Sequence, residues 1–153
     1  MSFNELKIPQ AIINLLEQNG ITKPYPIQEM VIPSVLEKKD VLGIAKTGSG
    51  KTAGYVLPIL AGHKVKMGAK NRNAQTLVLV PTRELAEQVK EVFDTYSAVL
   101  PKPPKVMAVY GGVSINPQMK QLFGISILVA TPGRLIELVE KNAVSLSDVQ
   151  TLV

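Results

Sequence analysis

The chain has 153 residues, 46% of them apolar and 19% charged, a globular composition long enough for one compact domain and unlike a disordered tail. It contains no cysteine, which excludes disulfides and thiolate metal sites and favours an intracellular setting. Its formal net charge of +5 suits an anionic partner and serves solubility equally.

The first ten residues, MSFNELKIPQ, lack the basic-then-apolar order of a signal peptide, and no apolar run approaches a membrane span. A cytoplasmic protein with no membrane part is expected. Apolar residues at 8, 12, 13, 15 and 16 predict a helix over 8–19, with Gly20 placed to end it. Residues 26–38 read as a second helix, with Pro33 a point of kinking. The run 41–45 reads as a buried strand, 52–62 as a helix and 63–75 as a polar, basic loop. A β-branched strand is predicted over 76–80 and a long amphipathic helix over 82–100, before the break PKPP at 101–104. A strand over 105–110, a turn at Gly111-Gly112 and a helix over 114–122 follow. A strand over 126–130, a helix over 135–142 and the beginning of a strand over 149–153 complete the chain. Helices alternating with apolar strands predict a parallel, three-layer α/β sheet. No repeat, low-complexity tract or internal linker interrupts it.

In such sheets ligands bind beyond the C-terminal strand ends. The octet AKTGSGKT, Ala45, Lys46, Thr47, Gly48, Ser49, Gly50, Lys51 and Thr52, falls at such an end. Gly48 and Gly50 let the backbone curl until successive N–H groups face one anion, and the following helix start adds free N–H groups and its dipole. Lys51 can reach the β and γ phosphates of a nucleotide and Thr52 can place its hydroxyl on Mg²⁺. A plain glycine-rich turn is the simpler alternative, but it does not require G-K-T in register between strand and helix. The general pattern opens with Gly where this chain has Ala45, which is tolerable only at negative φ.

The segment GITKPYPIQ, 20–28, bears on the base. A glutamine can pair bidentately with adenine, and Phe3 could stack on a ring; taken alone, Gln28 is more often a surface residue and Phe3 more often a core anchor. Three further motifs sit at strand–helix junctions. In PTRELA, Pro81 can stop a strand, Thr82 can cap a helix, and helix initiation gives no reason for Arg83. Gly111-Gly112 permits close backbone approach. TPGR offers Thr131 as a cap, the turn formers Pro132 and Gly133, and Arg134 as a phosphate-facing cation. His63 and the basic residues Lys64, Lys66, Lys70 and Arg72 read as an exposed loop, and the stripe Leu85, Val89, Val92 and Phe93 as core.

Taken together and in order, the octet, PTRELA, GG and TPGRL, with Phe3 and the 20–28 segment, resemble the first RecA-like domain of bacterial DEAD-box RNA helicases. The resemblance covers essentially the whole chain. It implies ATP or ADP with Mg²⁺ as ligands, a single- or double-stranded RNA partner held by its sugar-phosphate backbone, and a second RecA-like domain. Residues 1–153 would be the N-terminal ATP-binding domain, incomplete at its C-terminus, and 1–38 its adenine-recognition region. Gln28 would read adenine, Lys23 of the same segment would bind the nucleotide, and Phe3 would pack on the ring. Pro81, Thr82, Arg83, Gly111, Gly112, Thr131, Pro132, Gly133 and Arg134 would face RNA. Ile21 departs from the aromatic usual after Gly20, and Tyr25 from the small hydroxyl residue usual after Pro24. The D-E-A-D motif itself is absent, so the chain is expected to hold nucleotide without hydrolysing it; a monomer is expected. A small-molecule kinase and a non-catalytic binding module are the alternatives.

Overall fold

The structure, a computed structural model, describes residues 1–64 and 71–153; Lys66 and Lys70 of the expected basic loop lie outside the described residues. The elements in chain order are α1 (Gln10–Gln18), α2 (Pro26–Leu36), α3 (Lys51–Gly62), β1 (Thr76–Leu79), α4 (Arg83–Ser97), β2 (Val106–Val109), α5 (Ile115–Gln121), β3 (Ile127–Ala130), α6 (Pro132–Glu140) and β4 (Thr151–Leu152). Among the described residues no helix is long and apolar enough to cross a membrane.

The chain divides into two units. Residues 1–64 and 92–103 form the first, 71–91 and 104–153 the second, with α4 running from the second into the first. The first unit is helical. Its buried side chains include Leu6, Ile12, Leu16, Ile32, Leu57 and Phe93. Gly20 ends α1 as expected: at φ 77° it turns the chain so that the Ile21 N–H reaches back to Leu16 O at 2.8 Å.

The second unit holds the sheet. Every pair is parallel and the spatial order is β2-β3-β1-β4. The parallel α/β class expected from the sequence is therefore what forms. All four residues of β3 are buried, which explains why ILVA shows no polar alternation: a central parallel strand is covered on both faces. Leu128 and Ala130 join Leu77, Met107, Leu135 and Leu138 in one apolar cluster. Leu79 and Val109 are both in register with Ala130. The segments that follow β1, β2 and β3 thus leave the sheet from one end.

Two expectations are corrected. The strand over 41–45 is not formed, and Leu42 and Ile44 are 87% and 84% exposed. A strand exists through its ladder, and among the described residues no strand pairs with this segment, so its apolar side chains have no sheet face to enter. Helix α6 begins at Pro132, three residues before the predicted 135. Proline at the first helical position loses no hydrogen bond there and already has helical φ.

Candidate functional site

The octet lies in the first unit and leads into α3. Gly48 and Gly50 have φ of 78° and 85°, the left-handed conformation the curl demands, while Ala45 is not among the positive-φ residues. Gly50 is required twice over: a Cβ there would lie 2.5 Å from Gln28 Nε2. Ser49 N–H donates to Lys46 O at 3.3 Å and Gly54 N–H to Gly50 O at 3.0 Å. The N–H groups of Gly48, Gly50, Lys51 and Thr52 meet no acceptor among the described residues. Ser49 Oγ is buried and likewise without a partner. Lys51 folds back on the loop, its ammonium donating to the carbonyls of Ala45 and Lys46. The Thr52 hydroxyl bonds to that of Tyr55; burial pushes the Tyr55 hydroxyl up in pKa and this bond works against it. Unpaired amides, an orphan hydroxyl and an ammonium on one glycine-bent loop are a donor set for a polyanion.

The residues expected to read adenine are placed less simply. Gln28 is 3% exposed and stands at the third position of α2. Its Oε1 accepts from the Tyr25 N–H at 3.0 Å and its Nε2 donates to Gly50 O at 3.1 Å. The side chain is thus a joint between the α2 start and the octet. One amide hydrogen and one oxygen lone pair remain for a base. Phe3 is 2% exposed, the burial of a core anchor. Lys23 is exposed.

The other three motifs meet in the second unit, at the common end of β1, β2 and β3. Thr82 caps α4, its Oγ1 accepting from the Leu85 N–H at 3.2 Å. Arg83 is exposed and donates to Glu84 at 3.2 Å. Gly112, at φ 80°, runs so close that a Cβ on it would sit 3.6 Å from Arg83 Nη1. Thr131 heads α6 without a side-chain cap bond, leaving its hydroxyl unused, and Pro81, Gly111, Pro132 and Gly133 are exposed. Arg134 is the exception. It is 7% exposed, and its guanidinium donates to Glu137, Gln118 and Val113 O, each at 2.8 Å. Being a planar fork with five donors, it satisfies three internal acceptors at once and so faces inward.

Several side chains bonded within the two candidate sites carry no sequence signal. Gln118, Tyr110, Glu87 and Tyr55 look like ordinary residues of their elements. Tyr110 donates to Glu87 at 2.7 Å, and this bond to a carboxylate holds the Tyr110 hydroxyl above its ordinary pKa. His63, read as exposed, is half-buried; its Nε2 has no partner among the described residues, and burial lowers its pKa. Arg72 of the same loop stacks 4.2 Å above the Phe123 ring instead of standing in solvent. Among the described residues no group of three or more His, Cys, Asp or Glu could hold a metal.

A family model described as DEAD/DEAH box helicase matches residues 25–153. The DEAD-box ATP-dependent RNA helicase CshA of Streptococcus pneumoniae is 44% identical over 154 residues, covering 100% of this chain and 28% of that protein. ATP-dependent RNA helicase DeaD of Buchnera aphidicola is 44% identical over 154 residues, covering 100% of this chain and 25% of its own length. The chain thus spans about a quarter of the length of these relatives. Among solved structures, a DEAD box protein from the hyperthermophile Methanococcus jannaschii superposes with a TM-score of 0.86 at 34% identity, over 99% of this chain and 40% of that one. The ordered motifs, the RecA-like parallel α/β fold and these matches agree: this chain belongs to the DEAD/DEAH box helicase family.

Proposed function

We propose that this chain is the nucleotide-holding part of an ATP-dependent RNA helicase, the activity printed in the names of its relatives. In this reading the octet binds ATP or ADP, and the common end of β1, β2 and β3 binds the sugar-phosphate backbone of RNA. The observation that carries it is the loop itself, with Gly48 and Gly50 at positive φ and four amides and the Ser49 hydroxyl awaiting an acceptor. On nucleotide entry Lys51 exchanges the carbonyls of Ala45 and Lys46 for phosphate oxygens, a stronger, charge-assisted contact. Mg²⁺ neutralises phosphate charge when it is bound, and Thr52 is the residue that would hold it, directly or through water. The second RecA-like domain is the expected intramolecular partner, and the chain itself is expected to be monomeric and cytoplasmic.

The 153 residues are expected to hold nucleotide without splitting it. Turnover needs a carboxylate that orders the metal shell and a group that aims the attacking water. Glu84 is engaged elsewhere: its own backbone N–H, then Arg83, hold its carboxyl below the usual range, and Glu87 accepts from Tyr110. The test is calorimetric titration with ADP. Lys51→Ala is expected to weaken binding more than tenfold, about 1.4 kcal/mol or more. Equal affinity for the two proteins would remove the octet from the account.

A further inference from the structure

The glycine pair of the second unit is held from beneath by two side chains. Gln118, 9% exposed on α5, donates through Nε2 to Tyr110 O at 3.2 Å and accepts from Arg134 Nη1 through Oε1 at 2.8 Å. Arg134 in turn donates from Nη2 to Val113 O at 2.8 Å. Tyr110 and Val113 are the residues on either side of Gly111 and Gly112. Both carbonyls that bracket the turn are therefore tied inward to one Gln–Arg pair. The N–H groups of Gly111 and Gly112 meet no acceptor among the described residues, and both glycines are exposed. The turn runs beside Arg83, 3.6 Å from its Nη1 at the position a Gly112 Cβ would take.

We propose that Gln118 is a positioning residue for the anion-facing turn: with Arg134 it fixes the carbonyls of Tyr110 and Val113 so that the Gly111 and Gly112 amides stand free beside Arg83 for a backbone phosphate of RNA. The inference rests on the RNA-binding reading above. A buried guanidinium must keep its acceptors, so removing the Gln118 oxygen strands Arg134 Nη1 and loosens the turn through it. Glutamine suits the place because one amide supplies both a donor and an acceptor. Gln118 touches no phosphate and carries no charge. It should therefore govern how well RNA is held without changing how many counterions RNA binding releases.

Salt dependence separates support from contact. Affinity for a fluorescent oligouridylate is measured over a range of salt for the wild type, Gln118→Leu, Gln118→Glu and Arg83→Ala. Gln118→Leu is expected to weaken binding at least fivefold with the salt slope unchanged. Arg83→Ala is expected to lower the slope by about 0.7, one phosphate contact on a single strand. Gln118→Glu keeps the acceptor for Arg134 and loses the donor to Tyr110 O, so it should fall between Leu and wild type and should fold normally. Amide resonances of Gly111 and Gly112 should move in both Gln118 variants, and unchanged ADP affinity certifies the fold. Wild-type affinity in Gln118→Leu, a slope lowered as in Arg83→Ala, or unmoved glycine resonances would overturn the proposal. A wild-type chain that binds no RNA would instead sink the RNA reading, and the glycine resonances would still decide whether the pair holds the turn.

Discussion

Gln28 is both joint and candidate reader, and the two roles predict different patterns of loss. A joint supports the octet whatever base the nucleotide carries, because its bond to Gly50 O shapes the phosphate loop. A reader acts on adenine alone. Gln28→Ala is expected to do both: weaken ADP and GDP together, and narrow the gap between them by about 1–3 kcal/mol, the worth of a bidentate base contact. Parallel losses with the gap intact would leave Gln28 a joint only. Gly50→Ala is expected to be worse than either. Its φ of 85° strains any side chain, and the new Cβ would meet Gln28 Nε2 at 2.5 Å. Strain of this kind costs about 1–3 kcal/mol, so the melting temperature should fall and ADP binding should be lost; a thermal melt at wild-type temperature would refute the close approach. His63 sets a pH dependence. Burial holds its folded pKa below the unfolded 6.5, so the unfolded chain binds more protons and stability falls as pH drops through that value. It is the single histidine of the sequence. Denaturant titrations from pH 7.5 to 5.5 should show a slope that His63→Gln removes. Gln28, Phe3 and His63 did not announce their environments. Glutamine, phenylalanine and histidine have the same letters in a core, a joint or a ligand shell, and which one holds is decided by neighbours remote in sequence. Glycines were more legible, since Gly20, Gly48, Gly50 and Gly112 all sit where only positive φ makes sense of them.

Elements with their own punctuation were readable, and the one that depends on a distant partner was not. Helix α1 stops at its glycine, α4 begins at its capping threonine, and β1, β2 and β3 fall inside the predicted runs, because caps, periodicity and unbroken apolar stretches are local properties. The run 41–45 has a strand's composition but no ladder among the described residues. Its exposure makes a clear prediction: Leu42→Ser with Ile44→Ser should change the stability of this chain by less than about 0.5 kcal/mol each, as surface substitutions do. Buried strand residues of that size would cost roughly 2 kcal/mol or more apiece. Urea denaturation separates the two, and a large loss would restore the buried strand. The motifs PTRELA, GG and TPGR show a related limit. Their place at one sheet end followed from strand–helix alternation, but the inward turn of Arg134 depended on Gln118, an acceptor supplied by another helix.

At the scale of the molecule, the octet belongs to the first unit and the motifs PTRELA, GG and TPGR to the second, with α4 the helix that runs from one into the other. Family membership and fold class were legible because ordered motifs report on both at once. The central claim is that the amides of the octet are the phosphate ligands, and nuclear magnetic resonance reads them one by one. Titrating ADP into the isotope-labelled chain should move the N–H resonances of Gly48, Gly50, Lys51 and Thr52 together and saturably, with Gly111 and Gly112 unmoved. The Lys51→Ala protein should need at least tenfold more ADP for the same shifts. Shifts confined to other residues, or octet amides that stay fixed while ADP binds, would contradict the account.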